Sequence, residues 1–219
     1  MTKKNIVIIG AGGVARELLW LIDEINQSRD CYRLAGYVVS DTGSLGSTDS
    51  SELLLGDYEW LEQHRGEIDC LAIGIGAPGA RRKVAEELHQ LLPNTEFPPL
   101  VHPSVLCDRS SCKIGQGVVM APGVVGTVNL DIGSFALVGA GCTLGHETRV
   151  GTWSALNPRA TLSGGVQVGD EVLVGSSSVV LQYLSVGDRA VIGAGAVVTK
   201  DVAPDSTVAG VPARPLTKA

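Results

Sequence analysis

The sequence of 219 residues contains few aromatic side chains and no long apolar run. Aromatic residues make up 4% of the chain, which is filled instead with Val, Ile, Ala and Gly, and this predicts an interior that is narrow in at least one part. No stretch of about 18 consecutive apolar residues occurs, so neither a membrane-spanning helix nor membrane insertion is expected. The apolar run after Lys4 is too short for a signal sequence, and we therefore expect a cytoplasmic protein.

Basic runs and paired cysteine motifs are missing as well. With 17 Lys and Arg against 23 Asp and Glu, the chain has no basic run to neutralise successive phosphates, so nucleic acid is not an expected partner. The five cysteines form no CxxC pair, which argues against both a disulfide framework and a zinc site. We expect small buried cysteines in a protein without a metal.

Residues 1–100 carry nearly all the helical patterning and are predicted to form a Rossmann-like domain. Short β-rich runs alternate with segments whose apolar residues recur at helical spacing, which is typical of a parallel sheet covered by helices. A glycine turn, Gly10 to Gly13, separates the first strand from the first helix. The predicted strands are 5–9, 34–39 and 70–75, and the predicted helices are 14–26, 58–64 and 80–92.

Residues 101–219 contain a six-residue repeat from Ile114 to Val198. Every sixth residue from Ile114 to Val198 gives fifteen positions, of which fourteen are aliphatic or Met. The residues four positions beyond each of these form a second set, and all of them are small or apolar. We call these two sets of positions the two phases of the repeat. None of the ten charged residues between 114 and 203 falls on either phase, so both phases are predicted to face a dry interior. Glycine often follows the aliphatic position, where we expect a turn to need little steric restriction. Three hexads make one triangular coil, which stacks residues 18 apart at about 4.8 Å as a parallel β-helix.

The hexads resemble the left-handed β-helix of the hexapeptide acyltransferases. Other motifs extend the resemblance, over essentially the whole chain, to bacterial sugar acetyltransferases of the NeuD/PglD type. These motifs are Gly10-Ala11-Gly12-Gly13 through Ala15-Arg16-Glu17, His102-Pro103-Ser104, Gly145-His146-Glu147, Asn157-Pro158, residues 198–202 and Gly210-Val211-Pro212-Ala213-Arg214.

The resemblance implies transfer of an acetyl group from acetyl-CoA to a sugar amine or hydroxyl. We expect the acceptor to be a nucleotide-linked amino sugar of bacterial surface-glycan biosynthesis, which makes the enzyme an N-acetyltransferase. Sugar O-acetylation, of the sialic-acid type, stays open. The resemblance also implies a homotrimer whose active sites lie between neighbouring β-helices.

Acyl transfer from a thioester needs a base for the acceptor's proton and a donor for the oxyanion. Of the four histidines, only His146 lies at a corner of the repeat beside a carboxylate, Glu147, which is expected to orient the imidazole and stabilise its cation. Gly164 follows one coil later, so its N–H is expected to stack over His146 and approach the thioester carbonyl, the role that the resemblance also assigns to it. The alternative is a solvated turn histidine above a tight glycine corner.

The resemblance places CoA along the groove toward the C-terminal coils. Lys200 and Arg214 lie in that part of the chain and are candidate phosphate partners. The alternative interpretation is a pair of solvated cations on a terminal cap.

The acceptor is expected in the N-terminal domain. Gly10, Gly12 and Gly13 belong to a G-x-G-x-x-A turn between a strand and a helix, where a pyrophosphate can approach a helix N-terminus. Asp41 and Arg81 are further candidates for substrate binding, although a solvated helix start explains Arg81 equally well.

Four positions depart from the pattern of the resembling family. Val14 stands where the family often has His after the glycine run, and Val39 lies where it often has paired Asp. Gly139 and Ala155 replace an Asn and a second His on either side of His146. We therefore expect the reaction class to be kept and the acceptor to differ.

Three other functions can be weighed. A hydratase of the carbonic-anhydrase type needs three histidine ligands, and only one histidine follows Ile114. An NAD-dependent oxidoreductase with a β-helical oligomerisation domain fits the glycine turn, and a non-catalytic scaffold fits the repeat. The scaffold makes no use of the stack of His146, Glu147 and Gly164.

Overall fold

The computed structural model describes residues 2–216. The chain divides into two compact units. The first comprises Met1–Gly76 and Ala80–Leu100, and the second comprises Ala77–Gly79 and Val101–Ala219.

The first unit is built on a parallel sheet with strand order β3-β2-β1-β4. Residues Ile6 to Ile9 of β1 are at most 1% exposed, as expected of a central strand covered on both faces. The strands are β1 (Lys4–Ile9), β2 (Tyr32–Val38), β3 (Leu54–Gly56) and β4 (Cys70–Ile73), and the helices are α1 (Gly13–Ser28), α2 (Tyr58–Gln63) and α3 (Pro78–Leu91).

The predicted α/β fold is confirmed, with differences at the ends of elements. Strand β3 was not predicted because three residues are too few to show a periodicity. Helix α3 begins at Pro78, since proline is well tolerated in the first turn of a helix. Strand β2 lies on one side of β1 and strand β4 lies on the other, so the order of the strands reverses at β1. This topological switch point is where open α/β sheets bind their ligands.

The second unit is the predicted β-helix, built from three sheets that are parallel except for the antiparallel pair β21–β22; we call them the first, second and third sheet. Their strand orders are β22-β21-β19-β16-β13-β10-β7-β5, β20-β17-β14-β11-β8 and β18-β15-β12-β9-β6. The strands are β5 (Leu100–Val101), β6 (Lys113–Ile114), β7 (Val119–Met120), β8 (Val125–Gly126), β9 (Asp131–Ile132), β10 (Leu137–Val138), β11 (Thr143–Leu144), β12 (Arg149–Val150), β13 (Ala155–Leu156), β14 (Thr161–Leu162), β15 (Gln167–Val168), β16 (Leu173–Val174), β17 (Val179–Val180), β18 (Ser185–Val186), β19 (Val191–Ile192), β20 (Val197–Val198), β21 (Thr207–Ala209) and β22 (Arg214–Pro215).

Both phases of the repeat face the interior, as predicted. In each phase fourteen of the fifteen residues are buried, and the exceptions, Ile114 and Leu184, are half-buried. The polar members are satisfied inside the prism: Thr148, Ser154 and Ser178 donate hydrogen bonds to backbone carbonyls at 3.3, 2.7 and 2.7 Å. Small hydroxyl residues are therefore tolerated among the aliphatic side chains.

The glycines that follow the aliphatic positions are needed for a reason different from the expected one. They do not have left-handed backbone; that conformation occurs two residues later, for example at Glu147 with φ 60°. Instead, the next coil passes very close, so that a Cβ on Gly145 would lie 2.5 Å from the Gly164 nitrogen. Stacking of successive coils, rather than turning of the chain, requires glycine here.

Candidate active site

The residues proposed for catalysis lie at one corner of the β-helix, between the second and third sheets. We call this stack of turns the His146 corner. It contains two columns with one residue per coil: Val128, His146, Gly164, Gln182 and Lys200 in the first, and Asn129, Glu147, Gly165, Tyr183 and Asp201 in the second.

The imidazole of His146 packs directly on Gly164. A Cβ at position 164 would overlap Nε2 and would lie 2.7 and 2.9 Å from Cε1 and Cδ2 of the same ring. Any larger residue would therefore displace the imidazole. The predicted stacking of these two residues is present, and the missing side chain of Gly164 makes room for the ring.

Glu147 lies beside His146 without a hydrogen bond to it. The distance between Nδ1 of His146 and Oε2 of Glu147 is 3.6 Å, beyond ordinary hydrogen-bond length. Both side chains are about half exposed, at 51% and 60%. The arrangement keeps a carboxylate on the Nδ1 side and leaves Nε2 on the side of Gly164.

The N–H of Gly164 differs from the equivalent groups at a neighbouring corner. There, the N–H groups of Thr152 and Asp170 are bound by Asp170 and Asp188, each one coil later, at 2.7 and 2.9 Å. Within residues 2–216 no group accepts a hydrogen bond from the Gly164 N–H. This donor is therefore available to a bound molecule.

Tyr183 is a member of the corner that sequence reasoning missed. Its ring lies over Gly165, where a Cβ would overlap it, and the ring centroids of Tyr183 and His146 are 6.5 Å apart at an interplanar angle of 61°. The side chain is 69% exposed. Position 183 lies two coils, or 36 residues, after position 147, so the repeat alone would have placed this aromatic residue in the second column.

Lys200 belongs to the first column, three coils from His146. At about 4.8 Å per coil the two positions are about 14 Å apart along the stack. Arg214 lies in β22, which pairs antiparallel with β21, and its Nη1 donates a hydrogen bond to the Ala213 carbonyl at 2.9 Å. Both cations are exposed.

The glycine turn of the first unit borders a cleft of about 410 Å³ at the carboxyl ends of the strands. Gly10 and Gly12 have φ angles of 100° and 92°, a region that side chains rarely adopt, and Gly13 begins α1. The cleft is lined mainly by the turn, by the end of β2 and by one later loop: Gly10, Ala11, Gly12, Val39, Ser40 and Asp49.

A carboxylate of the protein lies against this turn. Oδ1 of Asp49 accepts a hydrogen bond from the Gly12 N–H at 3.1 Å and forms an ion pair with Arg16, while Oδ2 accepts one from the Gly46 N–H at 2.8 Å. The Asp49 side chain is 7% exposed. It occupies the position beside the helix N-terminus where the sequence predicted a phosphate, and no sequence pattern linked it to the turn.

The two other predicted acceptor residues lie apart from the lining of this cleft. Asp41 is exposed and accepts a hydrogen bond from the Gly43 N–H at 2.9 Å, capping a short 3-10 turn. Arg81 is 3% exposed and donates hydrogen bonds to the carbonyls of Ile75 and Gly76 at 2.9 and 2.6 Å. Burial lowers its pKa to about 10. The solvated helix start considered for Arg81 is therefore wrong, because the guanidinium is needed inside to bind the turn after β4.

Neither a metal cluster nor a membrane helix is found in residues 2–216. No group of three or more His, Cys, Asp or Glu side chains is arranged to hold a metal ion there. Over the same residues, no helix has the length and apolar character needed to cross a bilayer.

Residues 5–88 match the family of the PglD N-terminal domain. A comparison with curated protein sequences gives no match. A histidine-to-asparagine variant of perosamine N-acetyltransferase from Caulobacter crescentus, solved with CoA and GDP-perosamine, is 26% identical to the chain with a TM-score of 0.88, covering 98% of this chain and 97% of that one.

Two further solved structures are similar over nearly their whole length. The acetyltransferase domain of PglB from Neisseria gonorrhoeae, solved with acetyl coenzyme A, is 27% identical with a TM-score of 0.86, covering 98% of this chain and 100% of that one. WeeI from Acinetobacter baumannii AYE, at 24% identity and a TM-score of 0.82 over 96% and 99% of the two chains, has the same fold.

Proposed function

We propose that this chain, which is similar along nearly its whole length to sugar acetyltransferases of the NeuD/PglD type, transfers acetyl from acetyl-CoA to the amine of a nucleotide-linked amino sugar, with His146 as general base. Residues 1–100 bind the acceptor and residues 101–219 carry out the transfer. The observation that carries the proposal is the stack of His146 on Gly164, which puts a base next to an unused N–H donor.

The reaction needs one proton acceptor and one oxyanion donor. The acceptor nitrogen attacks the thioester carbonyl while Nε2 of His146 takes its proton, and the Gly164 N–H stabilises the negative carbonyl oxygen. The tetrahedral intermediate then loses the CoA thiolate as the C–S bond breaks, and the imidazolium returns the proton to sulfur. The carboxylate of Glu147, 3.6 Å from Nδ1, stabilises the imidazolium between these two steps.

Lys200 and Arg214 are proposed to bind the phosphates of CoA. The column position of Lys200, about 14 Å from His146, suits a cofactor that lies along the stack with its thioester at one end. Arg214 adds a planar group capable of bidentate phosphate contacts.

The nucleotide of the acceptor is proposed to bind in the cleft beside Gly10, Gly12 and Gly13. Its pyrophosphate takes the place of the Asp49 carboxylate at the Gly12 N–H and pairs with Arg16. Asp41, on an exposed turn two residues beyond the Val39 that lines the cleft, is proposed to contact the nucleoside, and Arg81 supports the cleft by fixing the turn after β4. Acetyl-CoA and nucleotide sugars meet in the cytoplasm, where we propose that the enzyme acts.

A homotrimer is proposed from the unequal chemistry of the three sheets. From β7 to β19 the outward residues of the first sheet are apolar, and those of the second sheet are β-branched, whereas those of the third sheet are polar or charged. We propose that the first and second sheets contact neighbouring copies, which brings a partner beside the His146 corner. The outward rows are Val119, Leu137, Ala155, Leu173 and Val191; Val125, Thr143, Thr161, Val179 and Val197; and Lys113, Asp131, Arg149, Gln167 and Ser185.

The test is a thiol-release assay with acetyl-CoA and a panel of amino-sugar nucleotides. The panel contains GDP-perosamine, dTDP-4-amino-4,6-dideoxyglucose and a UDP-linked 4-amino sugar, each paired with its hydroxyl analogue. We expect turnover with one amine and at least tenfold less with its hydroxyl partner. Turnover only with hydroxyl acceptors would make the enzyme an O-acetyltransferase, and NADH oxidation without thiol release would reject acetyl transfer.

A further inference from the structure

The imidazole of His146 is held by something other than its neighbouring carboxylate. At 3.6 Å the Nδ1 to Oε2 contact is too long to fix the ring, and the side chain is 51% exposed. A general base in a turn must nevertheless keep one rotamer, since small displacements of a catalytic group slow the reaction strongly. The rigid contacts around the ring therefore decide its position.

Gly164 contacts the imidazole at its Nε2 edge, and the ring of Tyr183 approaches the imidazole from the coil after Gly164. The Tyr183 ring occupies the space left by the missing side chain of Gly165, and it meets His146 edge to face with centroids 6.5 Å apart. Edge-to-face geometry at this separation is favourable for aromatic rings. Two consecutive glycines thus make room for two rings, one from the coil before and one from the coil after.

The same backbone position carries aromatic residues at another corner, with a different outcome. Phe135 and Trp153 also have left-handed backbone, with φ angles of 58° and 65°, and their rings stack on each other at 4.3 Å and 8°. Phe135 is 3% exposed, so that pair contributes to packing. Tyr183, with φ 59° and 69% exposure, is in ring contact with His146 instead.

We propose that Tyr183 is a positioning residue that holds the imidazole of His146 against Gly164. The inference depends on the proposed role of His146 as base. The aromatic ring carries the effect, so Phe at this position is sufficient. Because Tyr183 is exposed and has left-handed backbone, we expect its side chain to contribute little to the free energy of unfolding. In this it differs from the residues of the core.

The test compares Tyr183→Phe and Tyr183→Gly in the full-length enzyme. Glycine suits the left-handed backbone, so the second variant removes the ring without straining the turn. Using acetyl-CoA and GDP-perosamine, or the panel nucleotide with the highest turnover, we expect Tyr183→Gly to lower kcat about 3- to 10-fold, the weight of one aromatic pair. KM for acetyl-CoA stays within twofold, and Tyr183→Phe retains wild-type kcat.

Ser177→Gly is the matched control. It has the same left-handed position, with φ 57°, at a different corner, and we expect unchanged kcat. A double variant of His146→Ala with Tyr183→Gly tests the route of the effect. If Tyr183 acts through His146, the double variant is no slower than His146→Ala alone.

A second readout needs no acceptor and is therefore independent of the proposed substrate. The rate at which diethyl pyrocarbonate modifies His146, followed by peptide mass spectrometry, should rise in Tyr183→Gly and stay unchanged in Tyr183→Phe and Ser177→Gly. An unchanged rate in Tyr183→Gly, or additive losses in the double variant, would overturn the inference. If Tyr183→Phe loses as much activity as Tyr183→Gly, the hydroxyl acts on a substrate and the positioning role is rejected.

Discussion

The β-helix and the N-terminal sheet unit carry their functional groups in different ways. In the β-helix a residue's neighbour in the next coil lies 18 positions along the chain, as Leu144 pairs with Leu162. In the sheet unit the Gly12 N–H binds Asp49, 37 positions away, through a loop that has no repeat. In a periodic fold the repeat length predicts which residues of a site are neighbours. A site formed by loops depends on contacts between residues that have no periodic relation in the sequence.

The repeat is most sharply tested inside one dipeptide strand of the third sheet. Val168→Asp places an unpaired carboxylate in the dry interior, and we expect it to lower the free energy of unfolding by several kcal/mol. Gln167→Asp, one residue away on the exposed side, should be nearly silent. Thermal denaturation of both variants is the measurement, and equal melting temperatures would mean that the interior phase is assigned incorrectly.

The sheet unit is tested by two adjacent arginines of α3. Arg81→Met leaves the buried carbonyls of Ile75 and Gly76 without their donor, so we expect a loss of about 1–3 kcal/mol in denaturant unfolding. Arg82→Met removes an exposed pair with Glu86 and should cost about 0.5 kcal/mol or less. If both variants unfold at the same denaturant concentration, Arg81 does not stabilise the turn after β4.

The loop-built part of the site is tested at Asp49. Asp49→Asn keeps the size of the side chain and removes the charge that competes with phosphate, so KM for the amino-sugar nucleotide of highest turnover should fall severalfold. Arg16→Gln, which removes the pairing cation, should raise it. Initial rates at saturating acetyl-CoA measure both. A higher KM in Asp49→Asn would identify Asp49 as a direct ligand of the nucleotide.

The smallest expected effect is at Lys200. An exposed ion pair contributes about 0.2–1 kcal/mol, so Lys200→Ala should raise KM for acetyl-CoA about 2- to 5-fold and leave kcat unchanged. The effect should shrink at high ionic strength because exposed charges are screened. Lys113→Ala, at the outward end of the third sheet, is the control. Equal KM values for the two variants would remove Lys200 from the CoA site.

Much of the β-helical unit was predictable from the 18-residue spacing of stacked positions alone. The stacking of His146 on Gly164 follows from their separation, and so does the membership of Lys200 in the same column. Tyr183 follows the same arithmetic, but its contact with His146 depends on ring orientation, which periodicity does not contain. The reason for glycine at Gly145 was also hidden, because close approach of coils is a property of the stacked structure.

The sheet unit was predictable in its elements and not in its polar contacts. Alternating strands and helices indicated the parallel sheet, and the glycine turn was expected between β1 and α1. The carboxylate of Asp49 at that turn was not expected, since its loop has no periodic pattern. Arg81 was misjudged because a basic residue in the first turns of a helix is usually solvated, while here it is 3% exposed.

The central claim is that His146 is the general base of acetyl transfer, and His146→Ala tests it most directly. With acetyl-CoA and the amino-sugar nucleotide of highest turnover, we expect kcat to fall about 10²- to 10⁴-fold, the usual contribution of a positioned base. KM for acetyl-CoA should stay within twofold, because the proposed phosphate contacts are about three coils away. Full turnover in the correctly folded variant would contradict the mechanism.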